Sequence, residues 1–283
     1  MTAVQTTLLG AFAGATIFLG LPASRVRGVS AQARTFLTML SAGILLFIFF
    51  DVMAQANDVV GTAMSRGKSG GSWLPFSADA LMLAAGFALG ALGLGWIDRE
   101  LHRRRPLAPM AGGSVADAAA AGLDVAALAE QARRASLALG MMIAAAIGIH
   151  NFSEGLAIGV AARGGEVALA GTLIIGFALH NATEGFGIVG PLGEVQPSWR
   201  WLGLAGLVGG GPTFLGASIG YRVSSQPLQL AFLSLAAGAI LFVVGELWTS
   251  SSRRAGRNLI LAGLAIGFLL GYGSDLVVTL AAV

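Results

Sequence analysis

Apolar runs of about twenty residues recur eight times along this chain. They lie at 3–22, 33–56, 76–97, 136–161, 167–189, 200–221, 228–249 and 258–282. A run of that length crosses a hydrocarbon core about 30 Å thick as a helix. Lipid offers no water to backbone N–H and C=O groups, so only helices and closed barrels span it. Continuous apolar runs, rather than alternating ones, select the helix. The composition agrees: 55% of residues are hydrophobic and only 11% charged, against about 25% charged in a soluble protein. Mean hydropathy is +0.79. The expected fold is an all-α polytopic membrane protein whose residues 1–283 form one bundle of eight transmembrane helices.

The charges carry topology rather than a binding surface. Net charge is +3 and the isoelectric point is about 10.2, a balance that can signal nucleic acid. Here the basic residues sit in short loops beside apolar runs, so no nucleic-acid partner is expected, and the bilayer itself is the partner. Loops after the odd-numbered runs hold Arg25, Arg27, Arg34, Arg99, Arg103, Arg104, Arg105, Arg133, Arg134, Arg200, Arg253, Arg254 and Arg257. Loops after the even-numbered runs hold only Arg66, Lys68, Arg163 and Arg222. The positive-inside rule then puts the odd loops in the cytoplasm and both termini outside. No basic residue precedes the first run, which therefore reads as a span rather than a cleaved leader. The chain has no cysteine, so thiolate metal sites and disulfides are excluded.

Within this apolar background one polar pattern occurs twice. His150-Asn151-Phe152-Ser153-Glu154-Gly155 lies in the fourth run, and His180-Asn181-Ala182-Thr183-Glu184-Gly185 lies in the fifth. Residues four apart share a helix face. His150 is thus stacked over Glu154 and His180 over Glu184, with Asn151 and Asn181 flanking. Two of the three histidines in the protein are placed here. A carboxylate at mid-bilayer costs about 2.5–3.5 kcal/mol on insertion scales. A lone His or Asn would read as polar glue between helices, but a repeated His-Asn-x-x-Glu on adjacent helices reads as a site. Imidazole, carboxamide and carboxylate together suit a first-row divalent cation. Only 163–166 separate the two runs, so a tight antiparallel hairpin is expected.

Three further acids lie in predicted spans: Asp51, Glu246 and Asp275. Each either borders a metal pathway or bonds a neighbouring helix, with a place near the interface, in contact with water, the further alternative for Glu246 and Asp275. His102 reads as a solvated residue of the arginine cluster. Gly155 and Gly185 are expected to let helices approach closely, as are Gly86, Gly90, Gly93 and Gly95. Ser153 and Thr183 are positioned to bond the carbonyl four residues earlier. The Gly/Ser-rich stretch 61–72 reads as a loop. Gly209-Gly210-Gly211-Pro212 marks a place for a broken or kinked helix. Residues 98–135 form the longest connection, and 117–131 within it reads equally as a helix or a disordered linker.

Eight spans, outward termini, a long cytoplasmic loop 98–135 and paired His-Asn-x-x-Glu-Gly motifs on spans four and five resemble the ZIP family of divalent-metal transporters, in its prokaryotic type. The resemblance covers nearly the whole chain. It implies a 3+2+3 arrangement of the helices, with inverted repeats around the hairpin of spans four and five. It implies a metal site midway through the membrane, with His150, Asn151, Glu154, His180, Asn181 and Glu184 as ligands. Glu246 and Asp275 match acidic positions on spans seven and eight of the family; Asp51 has no assigned counterpart. Ser153 and Thr183 stand where the family usually has proline. Gly211 stands where relatives with a second metal carry a carboxylate. Arginine replaces the histidines of the long loop, so no metal store is expected there. A homodimer and a prokaryotic inner membrane fit the resemblance.

The expected function is transport of a divalent cation toward the cytoplasm, with no prosthetic group and no enzymatic reaction. Zinc stands first as substrate, while iron, manganese, cobalt and cadmium also suit nitrogen and oxygen ligands. One rival is a metal-dependent intramembrane hydrolase, since zinc enzymes also use His and Glu. Against it, the spans hold no third histidine and no separate nucleophile. The other rival is a proton channel, or a scaffold whose polar pairs only join helices.

Overall fold

A computed structural model describes residues 1–26, 28, 30–103, 124–165, 167–193, 195–223, 225–252 and 255–281. The side chains of 98, 101–103, 125, 167–169, 172–173, 179–180, 277–279 and 281 lie outside that description, His102 and His180 among them. Among the described residues, eight main helices follow in chain order: α1 (Ala3–Ala15), α2 (Ala31–Lys68), α3 (Leu74–Arg103), α4 (Val125–Arg163), α5 (Val167–Val189), α6 (Trp199–Arg222), α7 (Gln226–Ser252) and α8 (Arg257–Ala281). A short helix, Ile17–Gly20, and a 3-10 turn, Leu21–Arg25, continue α1. The described residues contain no strand. Seven of these segments are long and apolar enough to cross a membrane by that description, and α5 spans 23 residues, about 34 Å at 1.5 Å per residue.

Two helices run further than their apolar runs. α2 has 38 residues and α4 has 39, each near 57 Å, too long for a core of about 30 Å. The expected loop at 61–72 is therefore helix as far as Lys68. A single glycine, Gly61, costs a helix only about 1 kcal/mol. Trp73 packs against Gly67, where a Cβ would come within 2.9 Å of the indole. The chain finally reverses at Gly70, whose φ of 89° suits glycine. The expected connection 98–135 is likewise helical at both ends. Its middle, 104–123, lies outside the described residues. The Asp124 carboxylate caps α4 by accepting from the N–H groups of Ala126 and Ala127.

α6 is not broken at its glycine-proline stretch; Trp199–Arg222 is one helix with Pro212 inside it. Proline removes a bond to the carbonyl four residues back, here that of Val208. That carbonyl lies against Gly148 of α4, and no Cβ fits between them.

The helices pack in two groups. α4 lies most extensively on α6, and α1 on α6; α2 packs on α8 and α7, and α3 on α7. α5 touches both groups, contacting α1, α4, α2 and α8. One apolar core joins them through Ile17, Ile48, Ile143, Ile147, Ile188, Leu230, Leu233 and Ile240. Glycines set the closest crossings. A Cβ on Gly185 would run into the Ile17 carbonyl, and one on Gly155 into the Thr213 carbonyl. Gly86 and Gly90 bring α3 onto α7 in the same way, whereas Gly93 faces open space.

Candidate metal site

α4 and α5 turn their polar stripes toward one another. The Asn151 amide donates 2.9 Å to Glu184 Oε2. His150 Nε2 lies 3.1 Å from Glu154 Oε1 on its own helix and 4.0 Å from Glu184 Oε1 across the interface. His150, Asn151, Glu154, Asn181 and Glu184 are all buried, Asn151 and Asn181 completely so. Groups of this kind are found inside a protein only when paired or bound. Here the pairing is incomplete. Among the described residues, Asn151 Oδ1, Asn181 Oδ1 and Glu154 Oε2 are buried oxygens with no hydrogen-bond partner.

The site is anchored to α6 and α1 as well. Asn151 also donates to the Gly209 carbonyl, at 3.1 Å, one turn before Thr213. Asn181 donates to the Ala13 carbonyl, at 3.0 Å. α1 is interrupted just beyond, at Thr16, whose hydroxyl lies 2.7 Å from the Ala13 carbonyl and 2.6 Å from the Ala178 carbonyl. α1 is thus joined to α5 through side chains on both helices and through the Gly20–Gly185 crossing. Ser153 bonds back to the Ile149 carbonyl at 3.5 Å, a long bond.

The remaining predicted residues are distributed unevenly. Asp51, half-buried on α2, accepts from Gln55 at 2.8 Å. It interacts electrostatically with His150, Glu154 and Asp275, so α2 and α8 reach the edge of the cluster. Asp275 is exposed on α8, and Glu246 is half-buried on α7. His180 falls in α5, but its side chain lies outside the described residues. Among the described residues, no three His, Asp or Glu are spaced as a closed metal-holding set. His150, Glu154 and Glu184 are adjacent without enclosing a common point. Sequence reasoning missed the parts played by Ala13, Thr16 and Gly209. Two of the three act through backbone carbonyls, which leave no trace in residue identity.

A bundle of membrane-length helices around a buried nitrogen-and-oxygen cluster marks an integral membrane protein with a polar site inside its span. The chain belongs to the ZIP zinc transporter family, whose family model matches residues 126–270, more than half of its length. That match covers the helices bearing both motifs. Metal ions are therefore its substrates and lipid its surroundings. Members are transporters and not enzymes, which sets the hydrolase reading aside. No curated protein matches the chain.

Proposed function

We propose that this protein carries zinc, or a neighbouring divalent ion, toward the cytoplasm through a site shared by α4 and α5. His150, Asn151, Glu154, His180, Asn181 and Glu184 are the ligands in this reading, with Asp51, Glu246 and Asp275 bordering the approach. The observation that carries it is the buried contact of Asn151 and His150 with Glu184 across the α4–α5 interface. Idle polar glue would pair off its lone pairs; this cluster keeps buried oxygens open on both helices.

The chemistry follows from the donors. A hydrated ion entering the bundle exchanges water for imidazole nitrogen and carboxylate oxygen. The two glutamates offset its charge where the dielectric is low. The Asn151 amide holds Glu184 by Oε2 and leaves Oε1 turned toward His150. Neutral histidine selects borderline ions such as zinc. The basic loops orient the protein in the bilayer, and an inward gradient of the ion gives passage its direction, since the sequence carries no nucleotide-binding motif. We further propose one transporter domain over 1–283, cytoplasmic placement of 98–135, a prokaryotic inner membrane and a homodimer.

Reconstituted proteoliposomes test the reading. His150→Ala and Glu184→Ala should abolish zinc uptake while both variants still insert and purify. Zinc and iron uptake at the wild-type rate in both would dismiss the assigned site.

A further inference from the structure

We propose that Thr213 supplies a hydroxyl ligand from α6 to the transported cation and tilts selection toward harder ions. This rests on the reading that the α4–α5 cluster is the cation site.

Thr213 is fully buried. Among the described residues it bears the one buried hydroxyl with no hydrogen-bond partner. A helical threonine ordinarily bonds the carbonyl four residues earlier. Thr6, Thr35, Thr38, Thr62 and Thr249 all do so in this chain. For Thr213 that carbonyl belongs to Gly209, and Asn151 of the site already donates to it. The hydroxyl is thus buried without the bond that these other helical threonines make.

Its surroundings are those of the cluster. Thr213 packs beside α1, where a Cβ on Gly14 would lie 3.1 Å from the Thr213 Cβ. The residue before Gly14 is Ala13, whose carbonyl receives Asn181. The Thr213 carbonyl in turn abuts Gly155, the neighbour of Glu154. The Asn151 amide is thus tied down one turn from Thr213 on α6 and the Asn181 amide at Ala13, beside the Gly14 that faces Thr213, and each leaves its own Oδ1 buried and unpartnered. Three uncharged oxygens on α4, α5 and α6 remain open in one neighbourhood. Space-filling alone asks only for a branched side chain, which valine provides. A neutral hydroxyl adds a hard donor without adding charge. It favours ions that accept oxygen, such as manganese, over softer cadmium.

The test compares wild type, Thr213→Val, Thr213→Ser and Glu184→Ala in proteoliposomes, with zinc, manganese and cadmium supplied singly. Thr213→Val should lower uptake of sub-saturating manganese about tenfold, the scale of a lost bond to a charged group. Cadmium uptake should fall less, and Thr213→Ser should restore both. Metal-free Thr213→Val should melt no lower than wild type, because it loses an unsatisfied hydroxyl, while its melting rise on adding zinc shrinks. Wild-type uptake and manganese-to-cadmium ratio in Thr213→Val, with Glu184→Ala inactive, would overturn this proposal alone. Uptake surviving in Glu184→Ala would overturn the site reading beneath it. Should Thr213→Val not fold, Thr213→Ala carries the same test, and an unchanged manganese-to-cadmium ratio there refutes the ligand.

Discussion

Asn151 bridges two helices at once: its amide nitrogen lies 2.9 Å from Glu184 of α5 and 3.1 Å from the Gly209 carbonyl of α6. A single side chain on α4 therefore sets both the orientation of a carboxylate and the seating of the proline-bearing helix. Groups that orient a metal ligand typically change affinity or activity about 10–100-fold when removed. Asn151→Ala should lower zinc affinity within that range, measured by titration calorimetry on purified protein. Unchanged affinity would mean that Asn151 neither guides Glu184 nor binds the ion.

The glycine crossings make a contrasting pair of predictions. At Gly185 an added Cβ meets the Ile17 carbonyl, whereas at Gly211 it meets open space. Overpacking a tight contact costs about 1–3 kcal/mol. Gly185→Ala should melt distinctly lower than wild type and Gly211→Ala should not, as read by thermal unfolding in detergent. Equal melting of the two would show that the short helix Ile17–Gly20 moves aside freely.

Protons compete with metal for imidazole and carboxylate alike, because the ligands bind as neutral His and ionised Glu. Occupancy is retained at higher pH and lost as these groups take up protons. Zinc uptake should therefore fall as external pH drops from about 7.5 to about 5.5, the range in which histidine commonly titrates. Uptake that rises over this interval, at constant free zinc, would contradict ligation by His150, Glu154 and Glu184.

Two arginines clamp the chain between α5 and α6. Arg34 donates to the Gly193 carbonyl at 2.6 Å. Arg25 donates to the Pro197 carbonyl at 2.9 Å, with its guanidinium 4.8 Å from the Trp199 ring centre. Arg25→Ala should accelerate amide exchange across 195–202, leaving the α4–α5 hairpin as protected as in wild type. Exchange spread evenly over both regions would assign Arg25 a global role instead.

Much of this molecule was legible in its residues before any coordinate. Apolar runs longer than a bilayer core leave the backbone no alternative to helix, so the spans could be read directly. The i,i+4 stacking of His150 on Glu154 is equally a local matter. Other features resisted, because they depend on contacts far apart in the chain. Pro212 reads locally as a break or a kink; α6 is not broken there, and Val208 abuts Gly148 while Asn151 serves the Gly209 carbonyl. The helix through 61–68 is held partly by Trp73 lying over Gly67. Asp51 enters the cluster's electrostatic field from α2, and no local spacing announces that. Periodicity tells which face of a helix is polar, but not how far each helix slides or turns against its neighbours. That register is decided by backbone approaches at Gly14, Gly155 and Gly185, and it alone brings Asn151 to Glu184 and leaves the Thr213 hydroxyl without a protein partner.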